Sequence, residues 1–168
     1  MSSQNLRSAP ANKGGSDTRL LIVVRTKSSA NLPSDVRRTL AQLNLLRVFS
    51  ASLVPSSPDY LGMLRTAKDV VCWGEIDETL LEKLLSKRGR LVGNRRLTDE
   101  NLRLFSDIES VRELTDAVYS RKLQLKDVKS LKPFFRLSPP KGGFKGSKKK
   151  ANLGYLGTRV NELVARML

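Results

Sequence analysis

The sequence of 168 residues contains no histidine and a single cysteine. Histidine is the commonest general base and the commonest metal ligand in proteins, so its absence removes every Ser/His or Cys/His pair of nucleophilic catalysis. The spacings of zinc sites fail as well, because their ligands are missing. We therefore expect no enzyme activity, no catalytic residue, no bound metal and no cofactor.

The single cysteine also excludes an intramolecular disulfide. Cys72 lies among the apolar residues Val70, Val71 and Trp73, which indicates a small buried side chain rather than a reactive thiol. A chain without disulfides is typical of a reducing compartment. We predict a cytoplasmic protein.

Long apolar runs are missing too. No stretch approaches the roughly 18 apolar residues of a transmembrane helix, so we expect no membrane partner. Residues 1–18 are polar and lack the apolar segment of a secretory signal, and we predict that they form a flexible tail. The chain is 39% apolar, which is enough for one domain with an appendage or for two small modules.

Acidic residues are absent between Lys129 and Lys150, a stretch that carries eight lysines and arginines. The formal net charge is +15, and residues 119–150 hold 11 lysines and arginines against one acid, Asp127. Lysine and arginine contact phosphates, the interleaved phenylalanines can stack on bases, and glycines let the backbone approach a strand closely. This composition favours nucleic acid as the partner. A solvated basic patch is the alternative.

The first half of the chain alternates strands and helices. Apolar runs and alternation indicate the strands, and Pro33 with Ser34 indicates the start of the first helix. By itself, such alternation favours a parallel sheet. The predicted elements are a strand over 20–24, a helix over 33–44, a strand over 47–54, a helix over 59–64 and a strand over 70–73.

Helix signals dominate the second half. Asp77 predicts the start of a helix, and Gly89, following Lys87 and Arg88, predicts its end by the macrodipole and C-terminal glycine rules. Further helix starts are predicted at Thr98, Ser110 and Thr158. We predict an α/β module over 19–76 and a helical extension over 77–168 that contains a basic loop over 129–157.

The stretch GGFKGSKKK at 142–150 has the composition of a phosphate-binding loop but not its spacing. Gly146 is followed by Ser147 and Lys148, whereas a P-loop places Gly-Lys-Ser/Thr directly after a strand. Carboxylates fall mostly in first helical turns, where capping explains them. An enzyme acting on nucleotides or nucleic acid is therefore disfavoured, and no small-molecule substrate is expected.

Several short motifs occur in the order found in one known family. The chain resembles the large-subunit ribosomal proteins of the universal L-thirty family, in the archaeal form with a C-terminal extension. The most specific motif is LKPFFRLSPPKGGFK at 131–145. The others are the strand at 20–26, LNLLRVF at 43–49, GML at 62–64, VCWGEI at 71–76 and LTDE at 97–100.

The resemblance implies an α+β fold: a βαβαβ module with a three-stranded antiparallel sheet and two helices, plus a helical C-terminal extension with a basic RNA-binding loop. It also implies a structural, non-enzymatic role in the ribosome, with large-subunit rRNA and neighbouring ribosomal proteins as partners. The RNA-binding residues expected from the family's core region are Arg37, Arg38 and Arg47. Those expected from its loop are Lys132, Phe134, Phe135, Arg136, Lys141, Phe144 and Lys145, and the charge pattern adds Lys148, Lys149 and Lys150.

Some alternatives stay open. Of Phe134 and Phe135, either could stack on a base or anchor the loop on the body, and we favour one of each. One departure from the family is Ser138, which stands where many archaeal members have histidine. The polar first 18 residues replace the long basic N-terminal extension of eukaryotic members, and this replacement favours an archaeal source. A free-standing RNA-binding or RNA-maturation module is the alternative function.

Overall fold

The computed structural model of the protein describes residues 19–28, 31–105, 108–128, 130–144 and 153–168. The tail predicted at 1–18 lies outside them. The first elements are β1 (Leu20–Arg25), α1 (Ser34–Gln42), β2 (Ser50–Pro55), α2 (Pro58–Thr66) and β3 (Val71–Glu75). There follow α3 (Glu78–Arg88), a 3-10 turn (Val92–Asn94), α4 (Asp99–Phe105), α5 (Val111–Tyr119), β4 (Phe135–Arg136), β5 (Gly154–Tyr155) and α6 (Arg159–Met167).

The strands form one sheet in the order β4-β2-β1-β3-β5. In its centre, β1 is antiparallel to both neighbours, with Ile22 opposite Leu53 on one side and opposite Gly74 on the other. The parallel arrangement that alternation alone favours is therefore wrong for these strands. β4 pairs antiparallel with β2 and β5 pairs parallel with β3, so the whole sheet is mixed.

The predicted sheet has three strands, whereas the sheet observed among the described residues has five. Both outer strands come from the extension, which is therefore not only helical. β4 pairs Phe135 with Ala51, and β5 pairs Tyr155 with Trp73. Each outer strand has two residues, too few for a pattern of alternation to be visible in the sequence. The domain division after residue 76 stays a prediction.

The sheet separates two apolar clusters. Alternation along β1 directs Leu21 and Val23 into a cluster with α1 and α2, and Ile22 and Val24 into a larger cluster with α3, α5 and α6. Both faces of β1 are therefore covered, which explains why its sequence is a continuous apolar run. Its prediction as a well-buried strand is confirmed, since Ile22, Val23 and Val24 are fully buried.

Two glycines are required by close approach. A Cβ at Gly74 would overlap the carbonyl oxygen of Gly157, where β3 passes the turn before α6. The predicted end of α3 at Gly89 is confirmed, although Gly89 has a φ of −58° and a ψ of 133° rather than a left-handed conformation. Its Cβ would instead overlap the carbonyl oxygen of Leu85 and crowd Leu97.

Cys72 is fully buried within the larger cluster, as predicted. Burial raises the pKa of its thiol to about 12, so it stays protonated at neutral pH. Within the described parts of the chain, no group of three or more potential metal ligands occurs. No helix there combines the length and apolarity needed to cross a membrane.

Candidate nucleic-acid interface

A groove of about 430 Å³ opens beside β4, where three segments of the chain meet. We call it the basic groove, because five of its lining residues are arginine or lysine and none is acidic. The segments are the loop between α1 and β2, the end of α3 with the turn that follows, and residues 132–136. The lining residues are Asn44, Leu46, Arg47, Ser50, Arg88, Arg90, Asn94, Lys132, Phe134 and Arg136.

Alternation along residues 131–137 builds one wall of the basic groove. In an extended chain, successive side chains point to opposite faces. Lys132, Phe134 and Arg136 line the groove, whereas Leu131, Phe135 and Leu137 are buried in the larger cluster. The segment predicted as loop thus contains the two-residue strand β4 and has one basic and one apolar side.

This wall is fixed on both sides. On one side, the Lys132 N–H donates to the Arg90 carbonyl at 2.9 Å and the Val92 N–H donates to the Ser130 carbonyl at 2.7 Å. On the other side, Arg136 pairs with Ser50 of β2. The positions of the basic side chains therefore follow from backbone pairing.

The opposite wall is held by a buried arginine. Arg25 is 8% exposed, and its Nη1 donates to the carbonyls of Leu45 and Leu46 at 3.0 and 2.6 Å. Its Nε donates to Lys27, and burial lowers its pKa. These bonds hold the loop in a shape that leaves Leu46 69% exposed. For the same reason β2 begins at Ser50, three residues after the predicted start at Arg47.

Three cations of the basic groove have no acceptor for their side chains within the described residues: Arg47, Lys132 and Arg136. Arg88 differs, because its Nη2 donates to Ser138 Oγ at 2.6 Å and to the Leu168 carbonyl at 2.9 Å. Unpaired guanidinium and ammonium groups attract anions strongly, and the crowding of like charges is relieved when phosphates bind between them. The groove is therefore arranged for a polyanion.

The two adjacent phenylalanines have different surroundings. Phe135 is 1% exposed and belongs to the core, so its side chain cannot stack on a base while the fold is intact. Its assignment as an RNA contact is corrected to that of a hydrophobic anchor. Phe134 is half-buried and lines the basic groove, where base stacking stays a prediction.

The first part of the basic loop is docked on the end of α6. The N–H groups of Ser138 and Lys141 donate to the carbonyls of Met167 and Arg166 at 2.9 and 3.0 Å. These carbonyls lie in the last helical turn, where no intrahelical donor remains for them. The Arg166 guanidinium in turn donates to the Gly143 carbonyl at 3.1 Å.

Phe144 continues this docking onto the first module. Its ring stacks on Phe49, with centroids 6.4 Å apart and planes inclined by 27°. Phe49 adopts a φ of 60°, which is rare for a bulky residue, and its carbonyl accepts from the Leu137 N–H at 2.8 Å. Phe144 remains 40% exposed, so an RNA contact by its outer surface stays a prediction.

The other predicted contacts are not part of the basic groove. Arg37 and Arg38 are exposed on α1, and Lys141 is exposed after the docked turn. Lys145, Lys148, Lys149 and Lys150 lie outside the described residues. Their roles stay predictions.

Sequence reasoning missed six of the ten lining residues: Asn44, Leu46, Ser50, Arg88, Arg90 and Asn94. Arg88 was explained by the helix macrodipole alone, although it stands in the basic run KRGR at 87–90. That run was a usable signal. The asparagines and Leu46 carry no pattern that distinguishes them from ordinary loop residues.

Comparison with known proteins gives a consistent result. The family model described as ribosomal protein L30p/L7e matches residues 21–71. The chain is 40% identical over 150 residues to the large ribosomal subunit protein uL30 of Methanosphaera stadtmanae, covering 87% of this chain and 98% of the relative. It is 42% identical over 154 residues to the protein of that name from Korarchaeum cryptofilum, covering 89% and 95%. For the one from Archaeoglobus fulgidus, the identity is 40% over 151 residues, covering 88% and 99%.

Proposed function

Because this chain belongs to the ribosomal protein L30p/L7e family, we propose that it is a structural constituent of the large ribosomal subunit that binds and stabilises rRNA. The family that the sequence motifs resemble is thereby confirmed. Members of this family are structural proteins of a ribonucleoprotein that acts in translation, which agrees with the expectation of no catalysis.

The observation that carries the proposal is the basic groove. It combines five cations with no acid, and three of the cations have no acceptor in the part of the chain that the structure describes. By contrast, Arg19 forms an ion pair with Glu75 at 2.7 Å elsewhere in the molecule. Unpaired cations in a concave surface instead support binding to phosphates.

The mechanism is electrostatic and geometric. Each phosphate that Arg47, Lys132 or Arg136 neutralises releases condensed counterions, and this release favours binding most strongly at low salt. Backbone pairing fixes the spacing of these charges, so the groove suits only an RNA fold whose phosphates match it. Specificity thus comes from RNA shape, and the loop beyond Phe144 extends the contact.

The proposed setting is the ribosome in the cytoplasm. The partners are large-subunit rRNA and neighbouring ribosomal proteins. Two surfaces of different charge support two kinds of partner. The basic groove suits RNA, and the surface with the Arg19–Glu75 ion pair suits a neighbouring protein.

Sedimentation of cell extract tests this function. We expect the protein to travel with the large subunit and to remain there in stoichiometric amounts after a high-salt wash. An RNA-maturation factor, the alternative, would be removed by the wash or be present only in precursor particles. Protein that stays at the top of the gradient would contradict the proposal.

A further inference from the structure

Two asparagines of the basic groove have an unusual backbone. Asn44 and Asn94 adopt φ values of 59° and 63°, in the left-handed region that asparagine enters more readily than most residues other than glycine. The other non-glycine residues with positive φ that the structure describes are Phe49, Arg121 and Ser130, and none of these lines the groove. Left-handed backbone in this chain therefore does not by itself require asparagine.

The carboxamides of both asparagines are available to a ligand. Each carboxamide offers two N–H donors and one carbonyl acceptor. Among residues 19–28, 31–105, 108–128, 130–144 and 153–168, neither side chain has a hydrogen-bond partner. Phosphates accept hydrogen bonds but cannot donate them, so a phosphate would leave the acceptors of Asn44 and Asn94 unused. A nucleobase edge uses both donor and acceptor.

The remaining lining suits the rest of a nucleotide. Phe134 and the exposed Leu46 offer apolar surface on which a base can pack, and Arg47, Lys132 and Arg136 can bind the flanking phosphates. The volume of about 430 Å³ lies in the range of pockets that enclose small ligands. Stacked and paired bases inside an A-form duplex do not present their faces or their Watson–Crick edges to such a pocket.

We propose that the basic groove holds a single unstacked RNA base, whose edge is recognised by the carboxamides of Asn44 and Asn94. This inference rests on the proposed RNA-binding function and adds base recognition to it. Adenine is the base that an asparagine carboxamide pairs with through two hydrogen bonds. Shape and charge therefore position the RNA, and the asparagines read one nucleotide.

The test compares two RNA hairpins that differ only by one bulged adenine. Anisotropy titrations with the full chain should show about tenfold tighter binding to the bulged hairpin, the discrimination typical of one such base contact. In the double variant Asn44→Gly/Asn94→Gly this preference should disappear while the salt dependence stays unchanged. Glycine is chosen because it adopts positive φ without strain.

Ser130→Gly is the matched control, because Ser130 also has positive φ, at 66°, and lies outside the groove. It should keep the full preference. Equal binding of both hairpins by the unchanged protein, or a preference that survives in the double variant, would overturn the inference and leave the proposed function standing. Failure to bind either hairpin at low salt would overturn both.

Discussion

The two edges of the sheet differ in how their charges are arranged. Beside β4, the basic groove gathers five cations without an acid. Where β3 ends, next to Tyr155 of β5, a cavity of about 420 Å³ is lined by Arg19 and Arg121 together with Glu75 and Asp77. Arg19 forms an ion pair with Glu75 there. Both outer strands have two residues and both come from the extension, but β4 is antiparallel to its neighbour and β5 is parallel. The charge pattern is the difference that bears on the proposed binding of RNA.

The edges also differ in what anchors them. Phe135 of β4 is 1% exposed, whereas Tyr155 of β5 is 61% exposed. The edge that carries the basic groove is thus continuous with the core, and its backbone is held without a ligand. Preorganisation of this kind lowers the conformational entropy lost on binding.

The largest expected effect concerns Phe135, the core residue that anchors β4. Phe135→Ala should lower the free energy of unfolding by about 3–5 kcal/mol, because a large core side chain is replaced by a cavity. Tyr155→Ala, its counterpart on β5, should change it by roughly 0.5 kcal/mol or less, as is usual for a surface site. Urea unfolding measures both. Similar values for the two variants would show that β4 is not anchored by the core.

The next effect concerns charge. The triple variant Arg47→Gln/Lys132→Gln/Arg136→Gln should weaken RNA binding and reduce the slope of log affinity against log salt by about 2–3, since each lost phosphate contact contributes about 0.7–0.9. The matched triple variant Arg19→Gln/Arg121→Gln/Arg159→Gln removes the same charge from the β5 side. Filter binding over a range of salt concentrations should show nearly the original slope for this control. Equal slopes in the two variants would mean that only net charge matters.

The smallest effect concerns the arginines that support each edge. Arg25→Gln should destabilise the protein by about 1–3 kcal/mol, because buried carbonyls lose their donor. Arg19→Gln breaks an exposed ion pair and should cost roughly 0–1 kcal/mol. Chemical denaturation checks both, and RNA affinity should fall only for Arg25→Gln, since that residue shapes the loop carrying Arg47. An unchanged RNA affinity would show that the shape of the loop between α1 and β2 does not matter for binding.

Periodicity predicted most helices and the buried central strand. Leu80, Leu81, Leu84 and Leu85 are buried on α3 as their spacing indicates, and the last helix buries Val160, Leu163, Val164 and Met167. Local apolar patterns suffice where an element packs one face on a core. The antiparallel order of the strands required the family resemblance, because alternation of strands and helices alone does not determine it.

The basic groove was only partly predictable. Charge and aromatic content pointed to the segment 129–150, and the family resemblance implied Lys132, Phe134 and Arg136 within it and Arg47 outside it. The distinction between Phe134 and Phe135 was also present in the sequence, because Leu131 and Leu137 share the odd positions of Phe135. It was missed because the prolines and glycines further along suggested a loop. Arg25, in contrast, acts through backbone carbonyls of a distant loop, and no local pattern reveals such a contact.

The two short outer strands oppose edge-to-edge pairing between copies of the protein. A chain ending after β3 would leave the unpaired N–H and carbonyl groups of β2 and β3 at the sheet's borders, where another chain could add as a further strand. β4 pairs with Ser50 and Ala51, and β5 pairs with Cys72 and Trp73, so each outer strand covers part of its border. The exposed Arg136 adds a charge to one of them. Short, charged edges resist aggregation. The extension therefore occupies strand positions at which another chain could add, a role independent of the proposed contact with RNA.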